Sequence, residues 1–298
     1  MPTPSRPHGE HPNTYFVEER FSKEEYNRLM IQEQMVTKGM GGVLPEQPDP
    51  TIFGSVLDIA CGPGIWLISA AQTYPNLTEL IGIDINARLL ANARQHATEQ
   101  GVAERVRFLN MDALGQLTFP DHHFDLVNQR SATSFLRTWD WPHLFSEMQR
   151  ITRVGGIVRL TEPYVLPDSN SPAFNRSIDL LTEAFYQSGH LFSPTKNSVS
   201  DRLPDMMSRY GFLNVQTRDY TVEYRAGTPE GKLALENTRI GMRTSLPFIR
   251  KWTHLPNDYE ELSQQALADM EQPGFVATWL IRTVWATVPI SAPTFSQA

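Results

Sequence analysis

Three carboxylates and a pair of glycines stand out in this chain as groups able to hold a ligand. Asp58 lies inside the run Val56-Leu-Asp-Ile-Ala-Cys-Gly-Pro-Gly64, four residues before Gly62. Gly62 and Gly64 let the backbone come close to a ligand, and a helix beginning near Ile65 offers it free N–H groups. Position 67 is leucine, where a dinucleotide fingerprint would place its third glycine. With an acid inside the strand as well, the turn suits a ligand carrying positive charge better than a pyrophosphate. Ile81-Gly-Ile-Asp84 puts a second carboxylate where it can accept from both hydroxyls of a ribose, a device that nicotinamide-binding and methyl-donor-binding domains share. Asn110-Met-Asp-Ala113 adds an acid able to accept from an exocyclic adenine amine, beside a methionine able to pack on the ring.

The elements that must hold these groups follow from periodicity. Apolar runs at Val56–Ala60, Glu79–Asp84, Val106–Asn110, Phe124–Asn128, Ile157–Thr161, Asn214–Tyr220 and Thr278–Thr287 predict strands. Helical patterns at Ile65–Tyr74, Asn86–Gln100 and Trp141–Arg153 separate the early ones. Strand, helix and strand at this spacing require crossover connections, so the fold class expected is α/β, a doubly wound, mostly parallel seven-stranded sheet. Two stretches interrupt the rhythm, about 163–198 with a helix over Pro172–Gln187, and about 226–275, mostly helical. Residues 1–13 hold four prolines and few apolar side chains, which predicts a flexible tail. Ser22-Lys-Glu-Glu25 resembles a capping box, and Tyr26, Leu29, Met30, Met35 and Val36 recur at near-helical spacing up to Gly39. Residues 14–50 are thus expected to form a lid helix and a proline-rich linker ahead of one domain, 51–298, that carries both insertions.

VLDIACGPG, GIDIN, NMDA and FDLVNQR, in this order over residues 51–220, resemble the class I S-adenosylmethionine-dependent methyltransferases. The lead-in YNRLMIQEQMVTKGMGGVLPEQ is similar to that of the small-molecule subfamily of LaeA-like, natural-product type. The resemblance implies a Rossmann-like methyltransferase fold and S-adenosyl-L-methionine as cofactor. Carried over by position, it assigns Asp58, Ala60, Gly62, Pro63 and Gly64 to the methionine moiety, and Asp84 and Ile85 to the ribose. It assigns Met111, Asp112 and Ala113 to the adenine, and Gln129 and Arg130 to the rim beside the sulfonium.

Methyl transfer from a sulfonium needs alignment and exclusion of water, and a base only where the acceptor must lose a proton. Glu162, Tyr164 and His190 are the titratable groups expected beyond the strand ends, and Glu162 and His190 are the catalytic candidates. Asn128-Gln-Arg-Ser131 lacks the Asn-Pro-Pro-aromatic motif of enzymes that methylate nucleic-acid amines. The single cysteine, Cys61, sits in the glycine turn and leaves no nucleophile for cytosine C5 chemistry, nor a disulfide. His122 and His123 are adjacent rather than spaced for one face, and no metal site is expected. Thirty-three acids against 26 bases give a net charge of −7, which argues against a nucleic-acid partner. No apolar run reaches the roughly 18 residues of a membrane span and no leader pattern opens the chain, so a cytoplasmic location without membrane contact is expected. Phe174, Phe185, Tyr186, Phe192, Met206, Met207, Met242, Phe248 and Trp252 supply the insertions with apolar bulk for a substrate chamber. The function expected is methyl transfer to a small, partly apolar molecule on O, N or C. The alternative is a non-catalytic S-adenosylmethionine-binding regulator.

Overall fold

The apolar runs become strands at the expected places, with the edges of the later ones shifted. The computed structural model describes residues 15–19, 22–164 and 167–289, so the expected tail at 1–13 lies outside the described residues. β1 (Ser55–Ile59), β2 (Glu79–Asp84), β3 (Val106–Asn110), β4 (Phe124–Arg130) and β5 (Thr152–Pro163) lie parallel in the order β3-β2-β1-β4-β5. β1 is buried along its whole length, as a central strand covered on both faces must be. Beyond β5 the sheet turns antiparallel. The long strand β8 (Val276–Thr287) runs between β5 and β7 (Leu213–Arg225), and the two-residue β6 (Asp168–Ser169) pairs with the start of β8. Among the described residues the strands therefore number eight rather than seven. The extra one is too short for any period in the sequence to announce it.

Because successive side chains point to opposite faces, the central strands β1, β2 and β4 feed two apolar layers. Val56, Leu80 and Leu126 meet Trp66 and Leu67 of α2 (Ile65–Thr73) and Leu90 and Ala93 of α3 (Ala87–Glu99). Leu57, Ile83 and Val127 meet Trp141, Leu144 and Phe145 of α4 (Trp141–Ile151) and Met207 of α6 (Leu203–Arg209). α6 has Pro204 in its first turn, where a missing N–H costs nothing.

A third apolar cluster lies outside these two layers. It joins α1 (Lys23–Gly39), α5 (Pro172–Gln187), α7 (Pro229–Trp252) and α8 (Tyr259–Glu271) to β7 and β8 through Met35, Phe174, Ala234, Met270, Tyr224 and Trp279. α1 starts as expected, with Ser22 Oγ accepting from the Glu25 amide at 3.1 Å. Its buried face differs from the expected apolar stripe. Met35 and Val36 are buried, but so are Glu25 and Arg28, while Tyr26, Leu29 and Met30 are only half-buried. The inward charges are satisfied by each other, Arg28 holding Glu25 through Nε at 2.7 Å and Nη2 at 2.6 Å, with the Tyr15 hydroxyl also donating to Glu25. A buried pair of this kind is tolerated only when its hydrogen bonds are made. No helix among the described residues is long and apolar enough to cross a membrane.

Candidate functional site

A cavity of about 270 Å³ opens at the carboxyl ends of β1 to β5 and extends beneath α1, α5, α7 and α8. Ligands in open α/β sheets bind at such strand ends. On the sheet side its wall includes Ala60, Gly62, Pro63, Asp84, Ile85, Met111, Asp112, Ala113, Arg130 and Glu162. Ten of the fourteen candidate site residues are thus brought to one surface.

Backbone geometry builds this wall. Gly62 and Gly64 adopt left-handed φ values of 54° and 74°. A Cβ on Gly62 would meet nothing within 4 Å, whereas one on Gly64 would lie 2.6 Å from the Phe108 ring. Gly62 therefore leaves open space in the cavity, and Gly64, outside the lining, lets α2 start against β3. Ala60 (φ 55°) and Ser131 (φ 59°) are non-glycine residues held left-handed on the wall, a cost of about 1–3 kcal/mol each that the surrounding fold must offset. Asp84 ties the turn together, its Oδ2 accepting from the Gly62 amide at 2.9 Å and its Oδ1 from the Asn86 amide at 2.7 Å. Asn110 Nδ2 donates to the carbonyls of Asp84 and Ile85 at 3.0 and 2.9 Å, and Asp112 accepts from the Leu114 amide at 2.9 Å. Ile85, Leu89 and Met111 give this corner its apolar surface.

Asp58 stands behind the wall. It is buried, outside the lining, and accepts from Asn128 Nδ2 at 2.7 Å; Asn128 Oδ1 accepts in turn from Arg159, which holds Glu46 of the linker at 2.7 Å. Burial pushes the Asp58 carboxyl up to about 7, against the opposing effects of Asn128 and Arg159. Gln129, expected at the rim, is fully buried outside the lining, and neither amide atom has a hydrogen-bond partner among the described residues. The pleat explains this: Asn128 takes the face that Asp58 shares, so Gln129 points to the other. Arg130 is on the wall, where it pairs with Glu33 and donates to Thr37 Oγ1 at 3.1 Å, both on α1.

The two catalytic candidates are not brought together. Glu162 is buried on the cavity wall and accepts from the amides of Ala132 and Thr133 and, at 2.7 Å, from Thr133 Oγ1. Burial pushes its carboxyl up to about 7, and these hydrogen bonds work in the opposite direction. His190 lies outside the lining, its Nδ1 2.8 Å from Ser188 Oγ and its ring packed edge-on to Phe185 and Phe248. Sequence position alone suggested proximity, but the helix end after α5 turns this histidine into the aromatic core. Tyr164, in a strand connection, is also outside the lining. His122 and His123 bond separately to the Thr152 carbonyl and to Glu79. Among the described residues no group of three or more His, Cys, Asp or Glu could hold a metal.

The far side of the cavity is mostly apolar, with Asn237 and Thr238 among its polar residues. Phe174, Phe185 and Met242 of the expected chamber residues line it, while Met207, Phe248, Phe192, Met206 and Trp252 pack into the sheet's own core and Tyr186 is exposed. Sequence reasoning missed Met35, Tyr224, Asn237, Met270 and Trp279 on this side. They come from five separate elements, and only the tertiary contact of those elements makes them neighbours.

Comparison with known proteins adds identity to this geometry. A family described as methyltransferase domain matches residues 56–156. The demethylmenaquinone methyltransferase of Lactiplantibacillus plantarum is 30% identical over 193 residues, covering 59% of this chain and 79% of that protein. A probable methyltransferase, ltbC, of Aspergillus luteorubrus is 31% identical over 108 residues, 35% of this chain and 38% of that one. Haemonchus contortus phosphoethanolamine N-methyltransferase 2, solved in complex with S-adenosyl-L-methionine, shares the fold with a TM-score of 0.54 at 20% identity, over 95% of this chain and 61% of that chain.

Proposed function

The chain belongs to the class I S-adenosylmethionine-dependent methyltransferases, and from that premise we propose that it methylates a small, partly apolar molecule inside the cavity beneath α1, α5, α7 and α8. One observation carries the reading. A single cavity joins Gly62, Asp84, Met111 and Asp112 at the strand ends to an apolar chamber walled by Met35, Phe174, Ile178, Met270 and Trp279. The Lactiplantibacillus relative, named for the small molecule demethylmenaquinone, supports an acceptor of that size. The likeness of the lead-in over residues 26–47 to the LaeA-like, natural-product subfamily is the support for an acceptor of that type. With the family assigned, no observation favours the non-catalytic alternative.

The sheet side of the cavity fits the cofactor. Gly62 leaves space where any other residue would project a Cβ, Asp84 presents a carboxylate, and Ile85, Leu89 and Met111 form an apolar slot beside Asp112. In this reading Asp84 and Ile85 hold the ribose and Met111, Asp112 and Ala113 the adenine. Ala60, Gly62, Pro63 and Gly64 shape the turn for the methionine moiety, with Asp58 as the charge behind it, and Arg130 closes the rim. The cofactor supplies a methyl group on a sulfonium, an electrophile with a neutral leaving group. The apolar wall orients the acceptor and excludes water. Where the acceptor must lose a proton, Glu162 takes it on a carboxylate oxygen, being on the wall and close to half-ionised at neutral pH. His190 and Gln129 have no part in this reading.

Incubating the chain with methyl-labelled S-adenosylmethionine and a library of apolar small molecules tests it. Acceptor-dependent formation of S-adenosylhomocysteine with label in a small product is the expected result. Transfer only to protein or nucleic acid would overturn it.

A further inference from the structure

Two residues of the cavity's cap end carry a polar atom with no hydrogen-bond partner among the described residues, Tyr224 on β7 its phenol oxygen and Asn237 on α7 its Oδ1. Both residues line the cavity and both atoms are shielded from solvent. The orphan atoms on Gln129, Trp141 and Ser263 belong to residues outside the lining. Tyr224 is only 2% exposed and shares its apolar cluster with Phe174, Met270 and Trp279. Buried polar groups are nearly always paired, and an orphan is a cost unless something arrives to satisfy it.

Their chemistry specifies the arrival. Asn237 Oδ1 can only accept, so it needs a hydrogen from the ligand. Burial raises the Tyr224 phenol above its ordinary pKa, which keeps its hydrogen available for donation. A ketone, an ether or a carboxylate would satisfy Tyr224 and leave Asn237 unpaired. An alcohol or phenol satisfies both, giving its hydrogen to one and accepting on its oxygen from the other. We propose that Tyr224 and Asn237 form a hydroxyl-binding subsite, and that the acceptor is an otherwise apolar molecule anchored there by one alcoholic or phenolic hydroxyl. The inference rests on the reading of the cavity as an acceptor site and names what the acceptor carries.

Ligand-observed NMR titration of the full chain with naphthalene, 2-methoxynaphthalene and 2-naphthol tests it, with and without S-adenosylhomocysteine. The wild type should bind 2-naphthol about tenfold or more tightly than either of the other two. Tyr224→Phe and Asn237→Leu should each bring that preference to within about twofold, leaving affinity for naphthalene unchanged. Absence of the preference in the wild type, its survival in both variants, or equal binding of the methoxy compound would overturn the subsite. If Tyr224→Phe does not fold, Asn237→Leu and the wild-type preference decide. Failure to bind S-adenosylhomocysteine while the naphthol preference holds would overturn the cofactor assignment and leave the subsite standing; the converse would do the reverse.

Discussion

At the sheet end of the cavity Asp84 holds the amides of Gly62 and Asn86, contacts made by one carboxylate with its own loop and the neighbouring one. At the cap end Met35, Phe174, Ala234 and Met270 meet side chain to side chain from four helices spread along the chain. The first arrangement is fixed by left-handed glycines and strand register. The second depends on how well apolar surfaces interdigitate, and it can be refilled without disturbing the sheet. A common donor and a particular acceptor call for this division, since the donor needs the same hydrogen bonds everywhere and the acceptor needs a shape of its own.

That contrast can be broken at several points. Glu162 is the proposed proton acceptor on the cavity wall, so Glu162→Gln should have the largest effect, a loss of about 100- to 10,000-fold in transfer to a hydroxyl acceptor with donor affinity kept. In the wild type the rate should rise with pH through about 7, since the ionised form is the working base. Stability should run the other way. Between the ordinary carboxylate range and about pH 7 the folded state binds a proton at Glu162 that the unfolded state has lost, so this group's contribution is full below that window and falls as pH rises through it. Urea titrations across that range should show the slope lessened in Glu162→Gln.

Gly64→Val should come next. It must keep a left-handed φ of 74° with a Cβ 2.6 Å from Phe108, costing about 2–5 kcal/mol of stability in chemical denaturation and donor binding with it. Asp84→Ala should weaken S-adenosylhomocysteine binding by about 1.5–3 kcal/mol in calorimetry while leaving probe binding at the cap intact. Equal damage at both ends would mean that they do not act separately. The smallest effect is expected for Lys38→Met, which removes an exposed ion pair between α1 and Glu230 of α7. Melting temperature and both affinities should stay within experimental scatter.

The sheet end was legible in the sequence because its determinants are local. Glu79–Asp84 and Val106–Asn110 are strands over the expected residues, and Pro172–Gln187 is a helix over its expected span. Asp84, Met111 and Asp112 reach the cavity because a strand's carboxyl end follows directly from where its apolar run stops. Gln129 shows the limit of that logic, since a one-residue change along β4 reverses the face. Glu25 and Arg28 show another, because charged residues on an otherwise amphipathic helix read as its solvent side until Tyr15 and their mutual pairing satisfy them indoors. The link from Asp58 through Asn128 and Arg159 to Glu46 was out of reach, as it joins residues 113 positions apart through a fully buried guanidinium. So was the presence of Tyr224 and Asn237 in one cavity lining, for which no spacing exists to be read.

The structure of the full chain crystallised with S-adenosylhomocysteine tests the central claim most directly. The ribose hydroxyls should lie on the Asp84 carboxylate, the adenine between Met111 and Asp112, and the sulfur facing the chamber lined by Phe174 and Trp279. A nucleoside bound with its ribose away from Asp84, or with its sulfur turned from that chamber, would contradict it.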